Sequence, residues 1–470
     1  MTRLSDPQLS FADIEFLHQG VKLEPMLRAI SGFIEEHAGL VEMVRRDLLR
    51  GLKRPDTGRN GLTAQQVLRS LTLMRVKDWD YRELRERIAD GYSLRQFTHF
   101  NSRCVPKHDA FNRAFNRLTP LSLETINQSV VQAAVALGLE DGKKLRVDTT
   151  VVETDIHHPT DSTLLWDVVR VITRLVGRLG KLAPIGGFSN RTRCARRRMQ
   201  ELQRMSARQR QEQQVPKYRA LIQVTRNVLQ NASAAREQTK DFRAIDPITD
   251  GLIAGLGQEI QHYAGLGERV IDQARRRVLE GEQVPNEEKI FSIFEPHTDL
   301  IKRGKPLKPV EFGHKVFLAE SACGLITQYR VLTGNPADQV HVKSSLEQHQ
   351  RVFSRVPEIY SSDRGFFNEE NINYCQAAGV SLVCIPYAGP RRSAEQKALE
   401  TSSAFKKAQC FRAGIEGRIS VLFRGRGMKR CLATGRERFE LLVGAAVLAN
   451  NLLIIARLLA KKRSRHRLAA

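Results

Sequence analysis

The sequence predicts an α/β fold: a helical N-terminal part, then a core in which strands alternate with helices, with a long helical insertion after the first core strand. Three observations predict it. Apolar residues recur at helical spacing through residues 1–140. The period turns strand-like at KKLRVDTTVVET (143–154) and again after about 290. The stretch between is helical in pattern and rich in Arg and Gln. Strands alternating with helices define an α/β core. A chain of 470 residues has room for several domains at roughly 100–200 residues each. The boundaries read as 1–140, 141–184, 185–290 and 291–470.

In the first segment, Thr63 and Gln66 have the spacing of a capping box, followed by Val67, Leu68, Leu71 and Met74. Asp80 and Glu83 repeat the device ahead of Leu84 and Ile88, and Pro106 precedes the amphipathic HDAFNRAFNRL. Three short helices with basic exposed positions suit a helix-turn-helix-like DNA-binding unit; a helical dimerisation domain accounts for them equally well. The strand 143–154 is β-branched and carries Asp148. The segment 185–290 holds RTRCARRRMQ, RMSARQRQ and ARRR, which reads either as an insertion contacting DNA backbone or as a solvated helical arm.

Beyond it, VEFGHKVFLAES (310–321) and LITQYRVLTG (325–334) read as paired strands with a turn at Cys323-Gly324. A helix follows over 340–353, then the short strand EIYSSD (358–363), a helix ending near Gly379, the buried strand SLVCIPY (381–387), and helices from about 400. The apolar run at 441–460 is about long enough to span a membrane, but Asn450, Asn451 and Arg457 interrupt it. A buried C-terminal helix is expected, with the basic KKRSRHR after it.

Charge narrows the function. The formal net charge is +24, and a chain this basic meets a polyanion, most commonly nucleic acid. The seven cysteines form no CxxC pair, which argues against a structural zinc site and a disulfide framework. Reduced thiols and an N-terminus without an apolar signal core fit the cytoplasm.

The candidate chemistry lies in three acids. Asp148 ends the alternation Leu145-Arg146-Val147; Asp363 ends Ile359-Tyr360-Ser361-Ser362; Glu416 stands on a helix four residues after Arg412, on the same face. Taken singly, a strand-end Asp is usually a turn or cap residue, and a helical Glu near Arg is usually a surface ion pair. Together they match the carboxylate set of two-metal phosphodiester chemistry, in which hard cations such as Mg²⁺ take carboxylate oxygens.

RVDTTVVET, YSSDRGFFNEENINYCQAAGV and CFRAGIEGRISVLFRGRG resemble the three acid-bearing segments of the DDE transposases of bacterial insertion sequences. The likeness is to the superfamily whose last-acid motif is Y-x2-R-x3-E-x6-K. VEFGHKVFLAES resembles the strand those enzymes place between the first two acids, and GLTAQQVLRSLTLMRVKDWDYRELRERI resembles their helical N-terminal domain. The resemblance implies an RNase-H-like catalytic core, with Asp148, Asp363 and Glu416 as catalytic and metal-binding residues for Mg²⁺, with Mn²⁺ as substitute. It implies cleavage of element ends and joining of the 3′-hydroxyl to target DNA. It also implies double-stranded DNA as partner, a homodimer or larger assembly on DNA, and a nucleoid-associated bacterial protein. Arg412 and Arg424 are expected to hold phosphates or orient Glu416, and His314 and Lys315 to face DNA. Two positions depart from the motif: Gln409 stands at the tyrosine and Phe423 at the lysine, with Arg424 one residue later. An arginine supplies charge there in a different register and geometry. Another metal-dependent nuclease on the same fold, or a catalytically silent DNA-binding protein derived from a transposase, are the alternatives.

Other residues read as structural. Alternation sends Glu153 to the opposite side of its strand from Asp148, and neither it nor Asp155 is favoured as a ligand. His157-His158 read as a solvent-facing loop, and Trp79 and Trp166 as core residues.

Overall fold

The computed structural model describes the chain except residues 1, 4–9, 20–21, 54–58, 245, 303–308, 390 and 470; of the expected basic tail, the side chains from 465 on also lie outside the described residues. The chain forms two compact units: one combines Met1–Glu153 with His314–Ala470, the other is Thr154–Gly313. It is a mixed α/β protein.

The first unit opens with helices α1 (Phe11–His18), α2 (Pro25–Glu36), α3 (Ala38–Leu49), α4 (Ala64–Lys77), α5 (Tyr81–Asp90), α6 (Tyr92–Phe97), α7 (His108–Phe115) and α8 (Pro120–Ala136). The capping box ahead of α4 is formed: Thr63 N–H donates to Gln66 Oε1 at 3.0 Å and Gln66 N–H to Thr63 Oγ1 at 3.2 Å. Asp80 caps α5 by accepting from the Arg82 and Glu83 amides, both at 2.8 Å, without a return bond from Glu83. Strand β1 (Lys144–Thr154) follows.

The second unit begins as β1 ends. It contains α9 (Asp161–Leu179), α10 (Thr192–Gln203), α11 (Ala207–Gln238), α12 (Pro247–Ala274) and strand β2 (Asp299–Lys302), which pairs antiparallel with Val310–Gly313. Its apolar core joins Leu165, Val169 and Ile172 of α9 to Leu221, Leu229, Ile260 and Val270. This unit is wider than the 185–290 insertion that composition suggests. The apolar face of α9 is what α10, α11 and α12 pack upon, so α9 belongs with them.

The chain returns through β3 (Val310–Ser321), β4 (Ile326–Val331), α13 (Val342–Phe353), β5 (Ile359–Ser361), α14 (Glu369–Ala377), β6 (Leu382–Cys384), α15 (Ala394–Thr401), α16 (Ser403–Gly425), β7 (Arg430–Cys431) and α17 (Arg436–Ala469). In the first unit the strand order is β4-β3-β1-β5-β6, with β7 also on β1. β3 and β4 run antiparallel around the Cys323-Gly324 turn, and β1–β5 and β5–β6 are parallel. Gly324 has φ +90°, and a Cβ there would meet the Arg418 guanidinium, so the turn admits only glycine without strain.

Side chains of successive strand residues alternate between faces. One face of the sheet places Leu145, Val147, Phe317 and Ala319 against α13 and α14. The other places Val152, Val316 and Leu318 against α16 and α17. α17 is the expected buried helix: it is the one described helix long and apolar enough to cross a membrane, and 83% of its apolar window is buried. Phe439, Val443 and Val447 face the sheet, while Leu441, Leu448, Leu452 and Ile455 enter the core of α2, α4 and α8. A helix apolar all round must be covered on all sides. For this reason residues 1–140 and the C-terminal part share one compact unit instead of forming separate domains. Asn451 within the run is satisfied by Ile326, whose N–H it accepts at 2.9 Å and whose carbonyl it bonds at 2.8 Å, and by Asn127 Oδ1 at 2.8 Å.

Candidate active site

β1 and β5 are registered in parallel as Lys144 with Ile359, Leu145 with Tyr360 and Arg146 with Ser361. Asp148 and Asp363 each stand two residues beyond the last of these pairs, so the two neighbouring strands deliver both acids to the same end of the sheet. Asp148 is buried, 7% exposed, and its Oδ1 accepts the Thr149 amide at 2.7 Å. Asp363 starts a short 3₁₀ turn and accepts the Gly365 amide at 2.9 Å. Burial pushes its carboxyl pKa up; the Arg412 charge opposes this and the neighbouring Asp338 adds to it.

The third acid arrives on α16. Arg412 Nη1 donates to Glu416 Oε1 at 3.0 Å, and Nη2 donates to Asp148 Oδ2 at 3.1 Å and lies 3.8 Å from Asp363 Oδ2. Three carboxylates far apart in sequence thus converge on one guanidinium. Glu416 is the most exposed of them, its side chain 67% accessible against 10% for Asp148.

α16 is fixed to the sheet by a buried ionic clamp. Glu320 of β3 is fully buried and accepts from Arg146 Nε of β1 and Arg418 Nε of α16, both at 2.8 Å. Arg146 also donates to the Phe411 carbonyl at 2.5 Å and lies 4.7 Å from the Phe411 ring centroid. A Cβ on Gly414 would meet the Arg146 guanidinium, so the glycine between Arg412 and Glu416 is needed for this close approach.

Of the expected DNA-facing residues, the structure brings Arg412 to the three acids and Lys315 to Asp338 beside Asp363. Arg424 is exposed two turns further along α16. His314 lies away from the acids: it is fully buried, bonded to Arg436 Nη1 at 2.9 Å and edge-on to Phe439 at 4.8 Å. Because β3 is covered on both faces, its alternation gives no solvent side. Lys315 is buried on the opposite face, where its Nζ lies 2.7 Å from Asp338 Oδ1 and 2.9 Å from the Pro336 carbonyl. Phe423 is half-buried against the α17 side of the core, and Gln409 donates to Cys384 Sγ at 3.1 Å. Glu153 pairs with Arg430 at 2.8 Å, and His157 with Asp167 at 2.6 Å.

Asp338, just ahead of α13, is a site residue that sequence pattern does not reveal. Its Oδ1 also accepts from Thr149 Oγ1 at 2.9 Å. Its Oδ2 and Asp363 Oδ1 both lie 3.2 Å from where a Cβ of Gly365 would stand. A fourth carboxylate therefore stands beside Asp363, with Lys315 as its counter-ion.

The donors are all carboxylate oxygens, as Mg²⁺ and Mn²⁺ prefer, and a guanidinium cation already stands among them. In kind, the set fits a divalent cation. Among the described residues no three His, Cys, Asp or Glu side chains form a metal-holding group as they stand; Arg412 occupies the space that the acids share. Comparisons with protein-family models, curated proteins and solved structures gave no match.

Proposed function

We propose that the chain is a DNA transposase of the DDE type: it hydrolyses a phosphodiester at each end of a mobile element and joins the freed 3′-hydroxyl to target DNA. The observation that carries this reading is the convergence of Asp148, Asp363 and Glu416 on Arg412. An RNase-H-like core is part of the proposal. It is supported by a mixed sheet with Asp148 on an interior strand, Asp363 after its parallel neighbour, and Glu416 on a helix clamped to that sheet.

Asp148, Asp363 and Glu416 would hold the divalent cations, which, when bound, supply an activated oxygen nucleophile and neutralise charge on phosphorus. Arg412 orients Glu416 and balances the acids before a cation arrives. Asp338 and Lys315 hold Thr149, the neighbour of Asp148, in place. The net charge of +24 supports a DNA substrate, since cationic side chains gain from releasing the counter-ions of the duplex. Two element ends cut together would call for a dimer or larger assembly on DNA. A bacterial cytoplasm, where the element and its target share one nucleoid, is the corresponding location.

The test is Mg²⁺-dependent cleavage and joining of DNA carrying the element's own ends, with Asp148→Ala, Asp363→Ala and Glu416→Ala as comparisons. Wild type should cut and join, while the variants bind DNA and do neither. Cutting without joining would instead assign a nuclease, and DNA binding without either step a silent DNA-binding protein. Cleavage that persists in excess chelator would overturn the metal-dependent reading.

A further inference from the structure

The second unit contains none of the acids above, but its charge is unevenly placed. Residues 191–219 hold ten Lys and Arg against two Glu, a net +8 (10 − 2). Residues 154–313 as a whole hold 27 against 19, also +8 (27 − 19). The unit's entire positive excess therefore sits in one segment, formed by α10 and the start of α11.

Helical periodicity then gathers four of the ten cations on one face. Arg193, Arg196, Arg197 and Arg204 are all exposed. Their spacing of three, four and seven places them on one side of the α10 axis, while Ala195, Met199 and Leu202 on the other side enter the core. The segment's acids are already engaged: Glu201 lies 3.8 Å from Arg197 and 3.4 Å from Lys217, and Glu212 lies 3.8 Å from Arg208. Among the described residues Arg193, Arg196 and Arg204 have no ion-pair partner. A stripe of like charge gains nothing for the fold, since its members repel one another.

Two further features select the ligand. Nine of the ten cations are arginine, whose planar fork pairs with phosphate through two parallel hydrogen bonds. Single-stranded nucleic acid is usually held by aromatic platforms as well as charge, but the segment's one aromatic residue, Tyr218, is buried. We infer that the exposed face of α10 docks the phosphate backbone of double-stranded DNA, without reading bases. This surface lies in the unit without the carboxylates, so it does not depend on the proposed chemistry and is tested without Mg²⁺.

The experiment uses the full chain with a fluorescent random-sequence duplex and, in parallel, its labelled single strand, with anisotropy measured from about 50 to 200 mM salt, the range over which phosphate contacts lose affinity steeply. Wild type is compared with a triple variant, Arg193→Gln with Arg196→Gln and Arg204→Gln. A second triple variant, Lys240→Gln with Arg243→Gln and Arg269→Gln, removes the same charge from exposed positions outside the stripe. Gln matches Arg closely in helix propensity, and unchanged thermal melting checks the fold. Each lost phosphate contact lowers the slope of log affinity against log salt by about 0.9. The stripe variant should therefore fall by about 2.7, which reduces the affinity change over that salt range by about 40-fold. The control should keep the wild-type slope. Equal losses in both variants would reduce the effect to net charge, and an unchanged stripe variant would remove the surface altogether. A loss confined to single-stranded DNA would overturn the assignment to duplex.

Discussion

Arg412 Nη2 lies 3.1 Å from Asp148 Oδ2, so a helix-borne guanidinium is the counter-ion of a buried strand carboxylate. Arg412→Gln should destabilise the protein by about 3 kcal/mol at neutral pH, because it removes the guanidinium that faces the buried Asp148 carboxylate. If the acids take a divalent ion, Mg²⁺ or Mn²⁺ should restore stability to this variant more than it stabilises wild type, since the ion no longer competes with the guanidinium. Urea unfolding with and without the ion measures both effects. Equal stabilisation of the two proteins would show that Arg412 and the cation do not share a place.

Glu320 separates the scaffold from the chemistry. It is fully buried between Arg146 and Arg418, and Glu320→Ala leaves two arginines without their shared partner, a cost of roughly 3–5 kcal/mol. Stability and activity should fall together, since α16 loses its anchor on the sheet. Glu416→Gln should do the opposite. Its side chain is 67% exposed, so melting stays within a degree or two of wild type while cleavage is lost. Calorimetry beside the cleavage assay distinguishes them, and a Glu416→Gln variant that melts early would give Glu416 a structural role.

Much of this arrangement is legible in the sequence, for definite reasons. Asp148 stands out as an acid inside an apolar and β-branched strand and Asp363 as an acid just past one, and the i, i+4 spacing puts Arg412 and Glu416 on one helix face. Asp338 is not legible. In TGNPADQ it reads as a turn or helix-start acid, and only the folded path brings it to Thr149 and Lys315. The burial of His314 is hidden for a related reason: alternation separates the two faces of a strand but does not say whether either meets solvent. The extent of the second unit is hidden as well. The apolar stripe of α9 shows that the helix is covered, not by which neighbours.

Asp338 and Lys315 form an ion pair at 2.7 Å with side chains only 20% and 11% exposed. Asp338→Asn should lower stability by about 2 kcal/mol, mostly from the uncompensated lysine. Adding Lys315→Met should recover part of that loss, since removing both charges is cheaper than removing one. Thermal melting of the two single variants and the double variant completes the cycle. A double variant no more stable than Asp338→Asn would place the cost elsewhere, with the hydrogen bond from Thr149, weakened when its acceptor becomes an amide oxygen, as the first suspect.

Asp363 sets the acid limit of the site. Burial raises its pKa above the ordinary 3.8, Arg412 pulls it down, and Asp338 pushes it up again. A carboxyl whose folded pKa exceeds its unfolded value stabilises the fold fully below the unfolded pKa, and that contribution is lost as pH rises through the folded pKa. Wild type should therefore lose stability relative to Asp363→Asn as pH climbs from about 4 toward neutrality. The difference stays small, under about 1 kcal/mol, because the side chain is 37% exposed and partly screened. Cation binding runs the other way, since protons compete for the same oxygens. Mn²⁺ affinity, followed by electron paramagnetic resonance, should begin to fall on acidification above the pH where an ordinary aspartate protonates. Asp338→Asn removes the repelling charge and should move that fall to lower pH. If instead the midpoint stays fixed, Asp338 does not act on Asp363, and its place beside the site is one of packing alone.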